Sequence, residues 1–125
     1  MQPTGTPYAG KRYVAAAAGA VNILREAGVL ATVYFLTAQL GLFLLAQPSD
    51  VAVFWPASGV AAGFLILSGR RAYSALVVGV VIGTAAANLL GDRSLITSIL
   101  IGFCNAGEAI LVAWLLDRWF GPAFG

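Results

Sequence analysis

Apolar positions in this chain come in long unbroken runs separated by short polar breaks, not in one-faced or alternating patterns. The first run, Ala27 to Ala46, contains no charged residue, and neither does the second, Val51 to Gly69. A third extends from Ala72 to Gly91, and a fourth from Ser94 to about Leu116 with a single acid, Glu108. A bilayer core of about 30 Å needs about 20 predominantly apolar residues in helical form. Backbone groups in hydrocarbon must be satisfied within the segment, so such runs are helices and not strands. The pattern predicts an all-α, polytopic membrane helix bundle with four transmembrane helices, at about 27–46, 51–69, 72–91 and 94–116.

The breaks have recognisable turn chemistry. Gln47-Pro48-Ser49-Asp50 joins proline to an Asx residue. Gly69-Arg70-Arg71 ends one helix on glycine, and Gly91-Asp92-Arg93-Ser94 repeats the device with Ser94 as the expected N-cap of the fourth helix. Links this short predict antiparallel neighbours in an up-down arrangement. Every lysine and arginine except Arg93 falls on one side of that arrangement: Lys11, Arg12 and Arg25 before the first span, Arg70 and Arg71 after the second, Arg118 after the fourth. The bias places both termini in the cytoplasm. Trp114 and Trp119 then fall near the cytoplasmic interface.

The flanks are less apolar. Residues 1–26 are expected as a cytoplasmic tail, unstructured through about residue 12 and with a short interfacial helix over Tyr13–Glu26, since its alanines favour helix. A signal peptide is the rival reading, but Arg25-Glu26 and a full span follow directly. The spans and their links fill 27–121, and 122–125 form a C-terminal tail.

One stretch, "VFWPASG" from Val53 to Gly59, sets a tryptophan and a proline between apolar runs. With Asp50 outside and Arg70-Arg71 inside, it falls at the outer membrane boundary. Trp55 suits the headgroup region, and Pro56 suits the first helical turn, where no backbone hydrogen bond is lost. A kink within the helix is the alternative.

Composition agrees with lipid as the solvent. Of 125 residues 60% are hydrophobic and 10% charged, against about 25% charged in ordinary soluble domains, and the mean hydropathy is +0.89. The net charge of +2 comes without a basic run or a basic–aromatic patch, which gives nucleic-acid binding no support. A single cysteine, Cys104, allows no intrachain disulfide, and there is no histidine. The commonest general base and metal ligand are therefore missing, no nucleophile–base pair is visible, and no cofactor or metal site is expected.

Two kinds of position stand out within the spans. Small residues recur every fourth place at Ala75, Gly79, Gly83 and Ala87 of the third helix, with shorter patches at Gly59 and Gly63 of the second and at Ser98, Gly102 and Ala106 of the fourth. Such stripes let helices approach closely, within the chain or in a homodimer. Polar residues at depth are the second kind: Glu108, Asn105 one turn before it, Asn88 and Gln39. A carboxyl group in a span costs several kcal/mol, so Glu108 is expected to face the bundle and find a partner, either in an interhelical hydrogen bond or in Arg70, Arg71 or Arg118. With Trp55 and Pro56, these are the candidate ligand or switch residues.

The segment "VFWPASGVAAGFLILSGRRAY" resembles the opening of the bacterial membrane-associated sensor domains called the MASE family, first type. "NAGEAILVAWLLDRWFG", Asn105 to Gly121, is similar to that family's later segment, and "GTAAANLL" of the third helix is also similar. The resemblance implies a multi-pass, non-catalytic sensory input module. Such modules sit before cytoplasmic output domains of two-component or cyclic-di-GMP signalling, namely histidine kinases, cyclases and phosphodiesterases. The family's membrane domain has roughly twice this number of helices, so the chain matches its N-terminal half and is expected to meet further transmembrane helices. The implied partners are those helices, an output domain, the lipid bilayer and an unidentified small ligand. A small transporter half-module using Glu108 in its path, or a structural assembly protein, are the competing functions.

Overall fold

The computed structural model describes residues 7–44 and 55–121. Its elements are four helices: α1 (Pro7–Phe43), α2 (Pro56–Ser68), α3 (Tyr73–Leu89) and α4 (Leu95–Phe120), with a single 3-10 turn, Arg70–Ala72, leading into α3. The Gln47–Asp50 turn, Val53 and Phe54, and the tail 122–125 lie outside the described residues. Three helices are long and apolar enough to cross a membrane, over Tyr13–Phe43, Arg70–Leu89 and Leu95–Phe120.

Two boundaries differ from the sequence expectation. α1 runs unbroken for 37 residues, so the separate tail and interfacial helix give way to one helix from Pro7. No glycine–proline break interrupts that stretch, and the alanines of 15–18 propagate helix through Arg25-Glu26. Its first part, Tyr13 to Arg25, is exposed, and packing begins at Ala27. The second difference is α2, whose 13 residues cover about 20 Å at ~1.5 Å per residue, short of a full span.

The helix ends follow local chemistry closely. Pro56 occupies the first turn of α2 and Trp55 its N-cap, where the missing N–H costs nothing; the kink is not formed. α2 ends at Gly69, at φ 70°, with its N–H donating to the Leu65 carbonyl at 2.8 Å. At the other link Gly91 does not take the left-handed role. Asp92 does, at φ 57°, while the Gly91 and Arg93 amides both donate to the Asn88 carbonyl. Ser94 caps α4, its Oγ accepting from the Thr97 amide at 3.2 Å. Ser94→Ala is expected to lower stability by about 1 kcal/mol, read as an earlier midpoint in denaturation of the detergent-solubilised protein by sodium dodecyl sulfate.

α1 packs along α3 and against α2, and α4 along α3 and against α2; α2 and α3, joined by the shortest link, touch little. Spatial order is thus α1, α3, α4, α2, and the most extensive partner of α1 is not its neighbour in sequence. The reason lies in the surfaces. A Cβ on Gly79 would come within 2.8 Å of the Ala27 carbonyl oxygen, and one on Gly83 within 2.9 Å of that of Ala31. Each step of four along α3 matches a step of four along α1, so the two helices advance in the same direction in backbone contact. A Cβ on Gly102 of α4 would likewise come within 2.9 Å of Cα of Val81 in α3.

Small side chains take a large share of the core, around the buried Leu30, Tyr34, Leu65, Leu76 and Val80. Ala38, Ala57, Ala61, Ala72 and Ala75 are completely buried, whereas Leu67 is 89% and Leu100 61% exposed. Water would favour the reverse, since burying large apolar groups drives folding there. Hydrocarbon makes no such distinction, and helices gain by approaching closely over small residues.

Candidate functional site

Polar and aromatic groups gather at two levels. The first is the end of the bundle where α1 and α3 finish and α2 starts. Gly41, near the C-terminus of α1, lacks the side chain that would block Trp55: a Cβ there would stand 3.0 Å from indole Cε3 and 3.5 Å from Cδ of Pro56. The half-buried Trp55 ring packs onto the core and anchors the start of α2 to α1. Between α1 and α3 at this same end opens a cleft of about 770 Å³. Gln39 and Asn88 line it together with Arg93, and Leu40, Leu42, Phe43 and Leu90 supply apolar walls. Asn88 is held by its Nδ2, which donates to the Thr84 carbonyl one turn earlier at 3.0 Å. Two amides and a guanidinium in an apolar cleft offer hydrogen-bond donors, and a cation, to an anionic or polar group bearing an apolar body.

The second level is the middle of the bundle. Asn105 of α4 donates through Nδ2 to Oγ1 of Thr84 at 3.4 Å, and Thr84 is buried. Glu108 meets one part of the expectation stated for it, an interhelical hydrogen bond, and departs from the other, since it does not face into the bundle. It lies on the exposed, outer side of α4 and accepts a hydrogen bond from the Ser58 hydroxyl of α2 at 3.3 Å. The inward face of α4 is already taken by Ser98, Gly102, Ala106 and Ala109, and a residue two places from Ala106 points about 200° away from it. The arginines named as its partners are elsewhere: Arg70 pairs with Asp117 at 3.6 Å at the far end of α4. That pair is largely exposed on the arginine side and contributes little to stability.

The small-residue positions divide in the same manner. Ala75, Gly79, Gly83, Ala87 and Gly102 are all buried between helices. Gly59 and Gly63 are not; nothing would lie within 4 Å of a Cβ at either. The buried face of α2 is Ala57, Ala61 and Leu65, two places out of phase with the glycines and on the opposite side.

Three residues escaped the sequence reading as site candidates. Ser58 is the partner of Glu108, and Thr84 accepts from both Asn88 and Asn105. Thr84 carried a signal, being the hydroxyl one turn before Asn88. Tyr34 is fully buried at the centre, and its hydroxyl has no hydrogen-bond partner. Its place, four residues from Leu30 and from Ala38, puts it on the inward face of α1.

Three helices long and apolar enough to cross a membrane, with large apolar side chains exposed along them, define this chain as a multi-pass membrane protein. Its sequence matches the family model MASE1 over residues 27–122. The chain belongs to the MASE1 family, membrane-associated sensory domains of signalling proteins. The match starts where helix packing starts, at Ala27. No curated protein and no solved structure matches the chain.

Proposed function

We propose that this domain is a non-catalytic input module of the bacterial inner membrane, with its helices up and down, both termini cytoplasmic, and its stimulus received at the cleft between the ends of α1 and α3. The observation that carries this reading is the convergence of Gln39 of α1, Asn88 of α3 and Arg93 of the link after α3 in one cleft, beside two helices that pack backbone to backbone. An amphiphile seated there contacts both helices at once. If it binds one α1–α3 packing better than another, it shifts the population between them by that difference in affinity. α3 is in turn packed on α4, whose opposite end holds Asp117 and Arg118, so a shift of α3 reaches the side facing a cytoplasmic output domain.

The alternative of a transport half-module loses support, because Glu108 on the outer side of α4 does not line a route between the helices. For a test, a diguanylate cyclase is joined to the C-terminal end of the chain and cyclic-di-GMP is measured in cells. Gln39→Leu with Asn88→Leu is expected to change output about threefold or more, whereas Leu67→Ala, on the lipid side of α2, leaves it unchanged. Equal output from all three chimeras, at equal membrane levels, would overturn the proposal.

A further inference from the structure

Glu108 is close to midway along α4, with about thirteen residues before it and twelve after, or ~20 Å of helix on either side. An acidic side chain at that depth costs several kcal/mol unless it is partnered. Ionised, a carboxylate has acceptor sites for about four hydrogen bonds. Among the described residues it receives one, the Ser58 hydroxyl at 3.3 Å, which is long for an O–H donor. The four helices thus leave their one deep acid on the outside with most of its hydrogen-bonding capacity open.

The surface around it is shaped for a helix. Cys104, Glu108 and Leu111 are exposed along α4, and Leu115 continues the line; the four-three-four spacing is that of a helix–helix seam. Beside Ser58, α2 presents Gly59 and Gly63, one turn apart and with open space above both, so an approaching backbone meets no side chains there.

The geometry points to a docking groove between α2 and α4 for a transmembrane helix outside these four, one that offers Glu108 a hydrogen-bond donor such as an amide or a guanidinium. The carboxylate decides the chemistry of the occupant. A purely apolar helix would bury the acid and supply no donor. A second copy of this surface would bring Glu108 towards Glu108, adding a second acid and no amide or guanidinium donor. This inference does not depend on the sensory role, only on the membrane setting.

The test uses the full chain, labelled at its N-terminus, in phosphatidylcholine vesicles. Energy transfer is measured to a synthetic leucine–alanine helix of about 23 residues, long enough to span, with either one central asparagine or leucine in its place. The asparagine helix is expected to associate about tenfold more tightly. Glu108→Leu is expected to erase the difference without unfolding the chain, since it replaces a polar carboxyl group with an apolar side chain at a lipid-facing site, and Glu108→Gln to retain most of it. Gly59→Ile with Gly63→Ile is expected to weaken association with both helices. Equal association of the two helices, or a preference that survives Glu108→Leu, would overturn the proposal. So would energy transfer between copies of the chain alone that Glu108→Leu abolishes, which would assign the groove to a second copy.

Discussion

Gly79→Leu and Gly83→Leu are each expected to destabilise the bundle by about 3 kcal/mol or more, at the upper end of what overpacking costs. The obstacle at both sites is backbone. The carbonyl oxygens of Ala27 and Ala31 stand 2.8 and 2.9 Å from where the first added carbon would go, and a carbonyl in a helix cannot turn aside as a side chain can. α1 and α3 must then separate along their whole shared surface, the largest interface in the molecule. Gly59→Ala is the matched control. It adds the same first carbon to open space, removes some backbone freedom from the unfolded chain, and is expected to stay neutral or gain about 0.5–1 kcal/mol. Denaturation of the protein by sodium dodecyl sulfate in mixed micelles, followed by tryptophan fluorescence and helicity, reads both changes. Equal effects at Gly79 and Gly59 would contradict the α1–α3 contact.

Tyr34 is the second site where a large effect is expected, and there two substitutions separate ring from hydroxyl. Tyr34→Ala should cost about 3 kcal/mol, because it opens a cavity at the centre of the bundle and the surrounding alanines are too small to close it. The loss is mainly of packing, since the same contacts made with lipid chains replace part of the transfer term. Tyr34→Phe keeps the ring and removes a hydroxyl that is fully buried and without a partner. An unmet donor in that position costs about 1–3 kcal/mol, so the phenylalanine variant is expected to be as stable as the parent or more so. The same micelle titration distinguishes them, and a phenylalanine variant less stable than the parent would show that the hydroxyl has a partner after all.

Much of this protein is set locally and can be read along the chain. Run length separates the helices, because the bilayer fixes how many apolar residues a span needs. Pro56 starts α2, Ser94 caps α4 and Gly69 ends α2 through interactions that reach no further than four residues. The family follows from "FWPASG" and "NAGEA" as strings of residues. What the chain does not encode locally is which side of each helix faces inward. In a soluble helix an apolar stripe marks that side. Here every side is apolar, so Gly59-x-x-x-Gly63 and Gly79-x-x-x-Gly83 look equivalent in sequence, and only the fold buries the second pair and opens the first. Glu108 is the same case: its depth is readable from position, its outward direction is not. The pairing of α1 with α3, and with it the meeting of Gln39 and Asn88 in one cleft, was likewise decided by tertiary structure. In lipid, neighbours are chosen by how closely two surfaces fit, and fit is a property of two helices together that neither sequence segment holds alone.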